Sequence, residues 1–175
     1  METGFNHYRP HVIDIEASGL GNGSYPIEAG VILSTGQSYF SLISPAADWH
    51  HWDHQAEVLH GITREKLLGY GIPIATVASE LNEFLSDKTV YSDGWVVDKP
   101  WMIQLFHKSG SEPRFFISAL EMILKEPQME IWSQTKTEVI NDLALTRHRA
   151  STDARIIQET FVRTQQISLI NHRQA

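Results

Sequence analysis

An α/β fold follows from three features of the sequence. Closely spaced β-like runs fill the chain up to Ile43, helix-like and strand-like segments alternate beyond it, and no repeat, low-complexity tract or linker divides it. The expected architecture is a mixed central β-sheet flanked by helices, in a single domain over residues 1–175. A chain of 175 residues can bury a full core without staples.

Residues 11–17 alternate apolar and acidic side chains, as a strand does. A turn rich in Ser, Gly and Asn fills 18–26, including Asn22-Gly23-Ser24, which reads as turn chemistry. Two more β-like runs, 27–33 and 38–43, are separated by only Ser34-Thr35-Gly36-Gln37, which predicts an antiparallel meander. Thr63 can cap a short helix ending near Gly69. Residues 74–85 place Val77, Leu81, Phe84 and Leu85 at helical spacing. A short strand at 89–92 precedes a turn and a helix through Trp101, Leu105 and Phe106. After a β-like run at 114–117 the pattern is helical to the end, and Ala154, Ile157, Phe161 and Val162 form the last buried stripe. Tyr39, Phe40, Phe115 and Phe116 stand in apolar runs and are expected in the core.

Composition narrows the function classes. Hydrophobic residues make up 42% and charged residues 20%, ordinary values for a globular chain. The absence of cysteine excludes disulfides and thiolate metal sites. No apolar run approaches the roughly 18 residues of a membrane span, and Met1-Glu2-Thr3-Gly4 lacks the regions of a signal peptide. A cytoplasmic protein is expected. The net charge of −7 argues against extensive phosphate contact. All the acidic surplus lies early, with 14 acids against 7 Lys+Arg in residues 1–119 and 7 against 7 beyond. Bound cations would reverse the sign at an acidic site.

Asp14 and Glu16 stand two apart on a strand and so share a face, with Ile13 and Ile15 pointing to the other. Side-by-side carboxylates repel unless cations bind between them, and oxygen-only ligands suit Mg²⁺ or Mn²⁺. A bare pair of this kind is more often a solvated strand face. Near the other end, His148 precedes Asp153 by five residues, and Asp153 opens an apolar-striped helix. Phosphodiester hydrolysis needs cations to polarise the phosphate and a base for the attacking water, and His suits the second task near neutral pH. The plainer alternative is a helix-capping Asp beside a surface His.

Together these segments resemble the DEDDh superfamily of 3′→5′ exonucleases. The resemblance begins at Val12-Ile13-Asp14-Ile15-Glu16-Ala17-Ser18-Gly19-Leu20. It continues through Pro26-Ile27-Glu28-Ala29-Gly30 and His60-Gly61-Ile62-Thr63, and closes on His148, Ala150 and Asp153 in an H-x-A-x-x-D pattern. Each segment alone is weak, but the ordered set spans nearly the whole chain. The resemblance implies an RNase H-like fold and one exonuclease domain that removes mononucleotides from a single-stranded 3′ end with two divalent cations. It implies Asp14, Glu16, Asp98 and Asp153 as metal ligands, with His148 as general base. Ser18, Gly19 and Leu20 would meet the terminal nucleotide, and His60 and Gln55 would line the same pocket. The resemblance also admits a homodimer.

The second motif departs from the family's Asn-Ala-x-Phe-Asp. Gly94-Trp95-Val96-Val97-Asp98 lacks the Asn and the Phe, and Asp93 is a rival carboxylate. Asp98 is preferred because Lys99-Pro100-Trp101 behind it reads as a helix start with Pro in the first turn, whereas Asp93 sits in ordinary turn chemistry. A non-cleaving nucleic-acid-binding module on the same fold is the alternative function. Trp49-His50-His51-Trp52-Asp53-His54 reads as an exposed loop with amphipathic aromatics; on a helix, His50 and His54 could instead hold zinc.

Overall fold

The computed structural model describes residues 8–174, with side chains to Ile170; Met1–Gly4 lie outside them. Three strands, β1 (Val12–Ala17), β2 (Pro26–Ile32) and β3 (Ser38–Leu42), form the expected antiparallel meander. Three helices follow: α1 (His54–His60), α2 (Arg64–Tyr70) and α3 (Ile74–Leu85). Then come β4 (Thr89–Ser92), α4 (Trp95–Ser109), β5 (Phe116–Ala119) and a 3₁₀ turn at Leu120–Met122. Two long helices, α5 (Glu126–Leu143) and α6 (Ala150–Gln174), complete the chain. The strands lie in the order β3-β2-β1-β4-β5, and β4 is parallel to both β1 and β5. No helix among the described residues is long and apolar enough to cross a membrane.

The pleat of β1 divides the molecule. Ile13 and Ile15, with Ala29 and Val31 of β2, bury one face against Val77, Leu81 and Leu85 of α3 and Met102, Leu105 and Phe106 of α4. Each of these side chains larger than alanine contributes about 1.5–3 kcal/mol when fully buried. Val12 faces the other way, against Ala154, Ile157 and Phe161 of α6, so the helix stripe read from the sequence covers the sheet face that also carries Asp14 and Glu16. Helix α5 packs on α6 through buried Gln128, whose Nε2 donates to the Phe161 carbonyl at 3.3 Å.

Several sequence expectations need correction. Phe40 and Phe116 are 66% and 72% exposed, because both lie on edge strands beyond the covering helices; Tyr39 and Phe115 do pack inward. The segment from Trp49 is no exposed loop, since Trp49 is buried and stacks on Tyr25 with ring centroids 5.0 Å apart. It leads into α1, which the sequence pattern did not announce; Asp53 caps it by accepting from the Gln55 amide at 2.8 Å. Helix α4 starts at Trp95 rather than near Lys99, which leaves Pro100 inside it. The carbonyl that loses its donor there belongs to Val96, a largely exposed residue that water can reach. Thr63 caps α2 as expected, accepting from the Lys66 amide at 3.1 Å.

Where α6 begins, it presses on the sheet. A Cβ on Gly30 would fall 2.2 Å from the Ala150 carbonyl carbon and 2.3 Å from the Ser151 nitrogen, so only glycine permits this approach. Gly30→Ala should destabilise the protein by about 3 kcal/mol, read as a lower denaturant midpoint. An unchanged midpoint would mean that the start of α6 is free to ride outward.

Candidate metal centre

The strand register explains how the acids meet. Asp14 and Glu16 project from β1 towards α6, opposite Gly30 and Glu28 of β2. Asp153 lies in the first turn of α6, close to where that helix crosses Gly30. One carboxylate oxygen from each of Asp14, Glu16 and Asp153 comes within 4.8 Å of the other two. This is the one such group of three or more His, Asp or Glu ligands among the described residues.

Without a cation these groups resist ionisation. Burial, followed by the charges of Asp98, Glu16 and Asp153, holds the Asp14 carboxyl well above the usual carboxylate range. Burial and the charges of Asp153 and Glu28 push Glu16 up to about 8. Asp153 is also raised by burial, against the opposing pull of its hydrogen bond from the His148 amide. An oxygen-only donor set whose own repulsion opposes charge fits a hard divalent cation.

Asp98 and Asp93 take different surroundings. Asp98 is buried, and its Oδ2 accepts from Ser92 Oγ at 2.5 Å; the same hydroxyl accepts from the Gly94 amide at 2.9 Å. Burial raises the Asp98 carboxyl to about 7, although the Ser92 hydrogen bond works to lower it. Asp93 turns to α5, where Lys136 Nζ binds its carboxylate at 2.7 Å. Among the charges acting on Asp14, Asp98 is the largest and Asp93 the smallest. Asp98 therefore borders the cluster without belonging to the 4.8 Å group.

The remaining expected residues are distributed around this centre. His148, partly buried, adopts left-handed backbone at φ 65°, and its amide donates to Asp153 Oδ2 at 2.9 Å. Asp153 thus both caps its own loop and faces β1. Ser18 is buried at the end of β1, Gly19 takes φ 144°, and Leu20 is 72% exposed. A Cβ on Gly19 would strike Asp53 at 2.6 Å and His51 at 2.8 Å, so the start of α1 lies against this turn. Gln55 is exposed on the first turn of α1. His60 is buried at its end; Nδ1 accepts from the Ile62 amide at 3.0 Å, and Nε2 has no hydrogen-bond partner among the described residues. His50 precedes α1 while His54 begins it, so the two do not share a helix turn as the zinc alternative requires.

Four residues escaped the sequence reading. Ser92 supplies an orienting hydrogen bond to Asp98 from outside the five-residue motif. His51 Nδ1 lies 3.0 Å from Ser18 Oγ. Glu28 is fully buried in β2, where Arg149 grips it. Only Glu28 carried a signal, as an acid inside an otherwise apolar strand.

No protein-family model and no curated protein matches the chain. Among solved structures the fold is similar to exonuclease I, which supports the RNase H-like expectation. Escherichia coli exonuclease I in complex with a dA16 oligonucleotide aligns with a TM-score of 0.64 at 14% identity, over 93% of this chain and 42% of that one. The enzyme from Methylocaldum szegediense gives 0.67 at 15% identity over 93% and 42%. A zinc-bound form of the Escherichia coli enzyme with single-stranded DNA gives 0.61 at 14% over 94% and 43%. The chain thus spans less than half the length of these neighbours.

The raised carboxyls make the cation-free protein sensitive to base. Groups whose pKa is higher in the fold stabilise it fully below the unfolded carboxylate range, near pH 4, and lose that contribution as pH rises through the folded values of about 7 for Asp98 and about 8 for Glu16. The melting temperature in chelator should therefore fall from about pH 5 to about pH 9, and less steeply in Asp14→Asn. Carboxyl ¹³C NMR should place the Asp98 titration near 7 and move it upward in Ser92→Ala. Parallel melting profiles for wild type and Asp14→Asn would show that repulsion within the cluster is too weak to matter.

Proposed function

We propose that this chain is a metal-dependent 3′→5′ exonuclease domain of the DEDDh type, hydrolysing single-stranded nucleic acid to nucleoside 5′-monophosphates. One observation carries the reading: carboxylates from β1 and α6, distant in sequence, converge within 4.8 Å on one face of the sheet. Asp14, Glu16 and Asp153, with Asp98 beside them, would hold two Mg²⁺ or Mn²⁺ ions. When bound, these ions would supply Lewis-acid polarisation of the scissile phosphate.

The chain's own residues would do the rest. His148, adjoining Asp153 through the loop hydrogen bond, would take the proton of the attacking water. Gly19, whose missing side chain leaves room for Asp53 and His51, shapes the turn, and the exposed Leu20 offers an apolar wedge for the terminal base. His60 and, less directly, Gln55 would line the same end. Nucleic acid as the ligand class is supported by the exonuclease I neighbours, whose structures hold oligonucleotides. Single strands are favoured, since unpairing costs a few kcal/mol and a chain of net charge −7 has little cationic surface to offset it.

The test is digestion of 5′-labelled single-stranded DNA and RNA with Mg²⁺ or Mn²⁺. A ladder shortening from the 3′ end, with 5′-monophosphate products, is expected. Asp14→Asn should abolish cleavage while leaving the protein folded. His148→Ala should lower kcat by about 10²- to 10⁴-fold with little change in KM. Binding without cleavage under every metal condition would make the chain a binding module, and prompt release of labelled mononucleotide would reverse the polarity.

A further inference from the structure

Glu28 is the least expected charge in the molecule. It stands in the middle of β2, is 0% exposed, and pairs across the strands with Glu16. A buried carboxylate persists only when its oxygens are occupied by a cation or by donors. Among the described residues, all its hydrogen-bond partners come from one short segment: Arg149 Nε reaches both oxygens at 3.1 Å, an Arg149 terminal nitrogen reaches Oε1 at 2.5 Å, and the Ala150 amide donates to Oε2 at 2.9 Å. Two residues along the same strand face, Gly30 receives the Ala150 backbone in contact too close for any side chain.

This segment lies between the two chemically important residues of the C-terminal motif. His148 precedes Arg149 directly, and Asp153 follows Ala150 by three positions within the first turn of α6. The loop before it turns through left-handed backbone at Ala144 and again at His148. An ion pair of this kind, its acid enclosed and its arginine half-buried, is a weak source of stability compared with apolar packing, and its donors must stay in place to keep the enclosed charge satisfied.

We infer that the Glu28–Arg149 pair is a positioning device: β2 grips the start of α6 and so sets Asp153 and His148 against the carboxylates of β1. The inference rests on the reading of Asp153 as a metal ligand. Neither Glu28 nor Arg149 needs to touch metal or substrate. Arg149 serves a second purpose in place, because its charge offsets the repulsion that Glu28 would otherwise exert on Glu16.

The experiment compares wild type, Glu28→Gln and the double variant Glu28→Gln/Arg149→Met. Mn²⁺ affinity by calorimetry, kcat and KM on a labelled oligonucleotide, and melting temperature are read together. Glu28→Gln keeps the side-chain shape but weakens the grip, and should bind Mn²⁺ about 10- to 100-fold less tightly. It should lose kcat in step while KM for the oligonucleotide holds. The double variant removes both charges, so it should stay folded and show the same loss. A folded variant of either kind with wild-type Mn²⁺ affinity and kcat overturns the positioning role. Wild type that binds no Mn²⁺ overturns the exonuclease reading itself, and the inference with it.

Discussion

Like charges held close together repel, and the arrangement of this molecule depends on holding them together regardless. Asp14 and Glu16 are fixed by the pleat of a central strand whose opposite face is committed to the core through Ile13 and Ile15. They cannot turn away without exposing that core. Asp98 is kept near them by burial and the Ser92 hydroxyl, and Asp153 by the way α6 lands on β2. The apolar contacts of α3, α4 and α6 supply the free energy that the acidic cluster opposes. A cation would remove that opposition, so loading and folding draw on the same term.

How much of this could be read in the sequence varied with the range of the interaction. Strand alternation at Asp14 and Glu16, the β2–β3 turn, the Thr63 cap and the α6 stripe are local patterns, and the structure reproduces them. Elements set by distant contacts were less legible. Helix α1 is short, and it packs with Trp52, whose ring lies edge-on to His60 with centroids 6.4 Å apart and whose Nε1 donates to Glu57, contacts no periodicity encodes. Phe40 and Phe116 looked like core because apolar runs do not reveal which strands will be edges. Pro100 looked like a helix start because nothing local shows that Val96 is exposed and its carbonyl within reach of water.

The candidate site followed the same rule. Asp14, Glu16 and Asp153 were identifiable as types in a spacing, and the fold brings them together. Asp98 and Asp93 could be told apart only by local pattern, since the ion pair that Asp93 makes with Lys136, 43 residues on, leaves no trace there. The supporting residues were the least visible. His51 and Arg149 act through partners 33 and 121 residues away and Ser92 through one six positions on, and their types are common on any surface.

The hydrogen bond from the His148 amide to Asp153 Oδ2 ties the loop to the acidic cluster through a single carboxylate. Asp153 itself stays with α6, which β2 holds, so a loop that swung out would carry off His148 and leave the carboxylate behind. In the proposed enzyme the base could then leave while the cation site kept its ligands, and a strand meeting an open loop would be held without being cut.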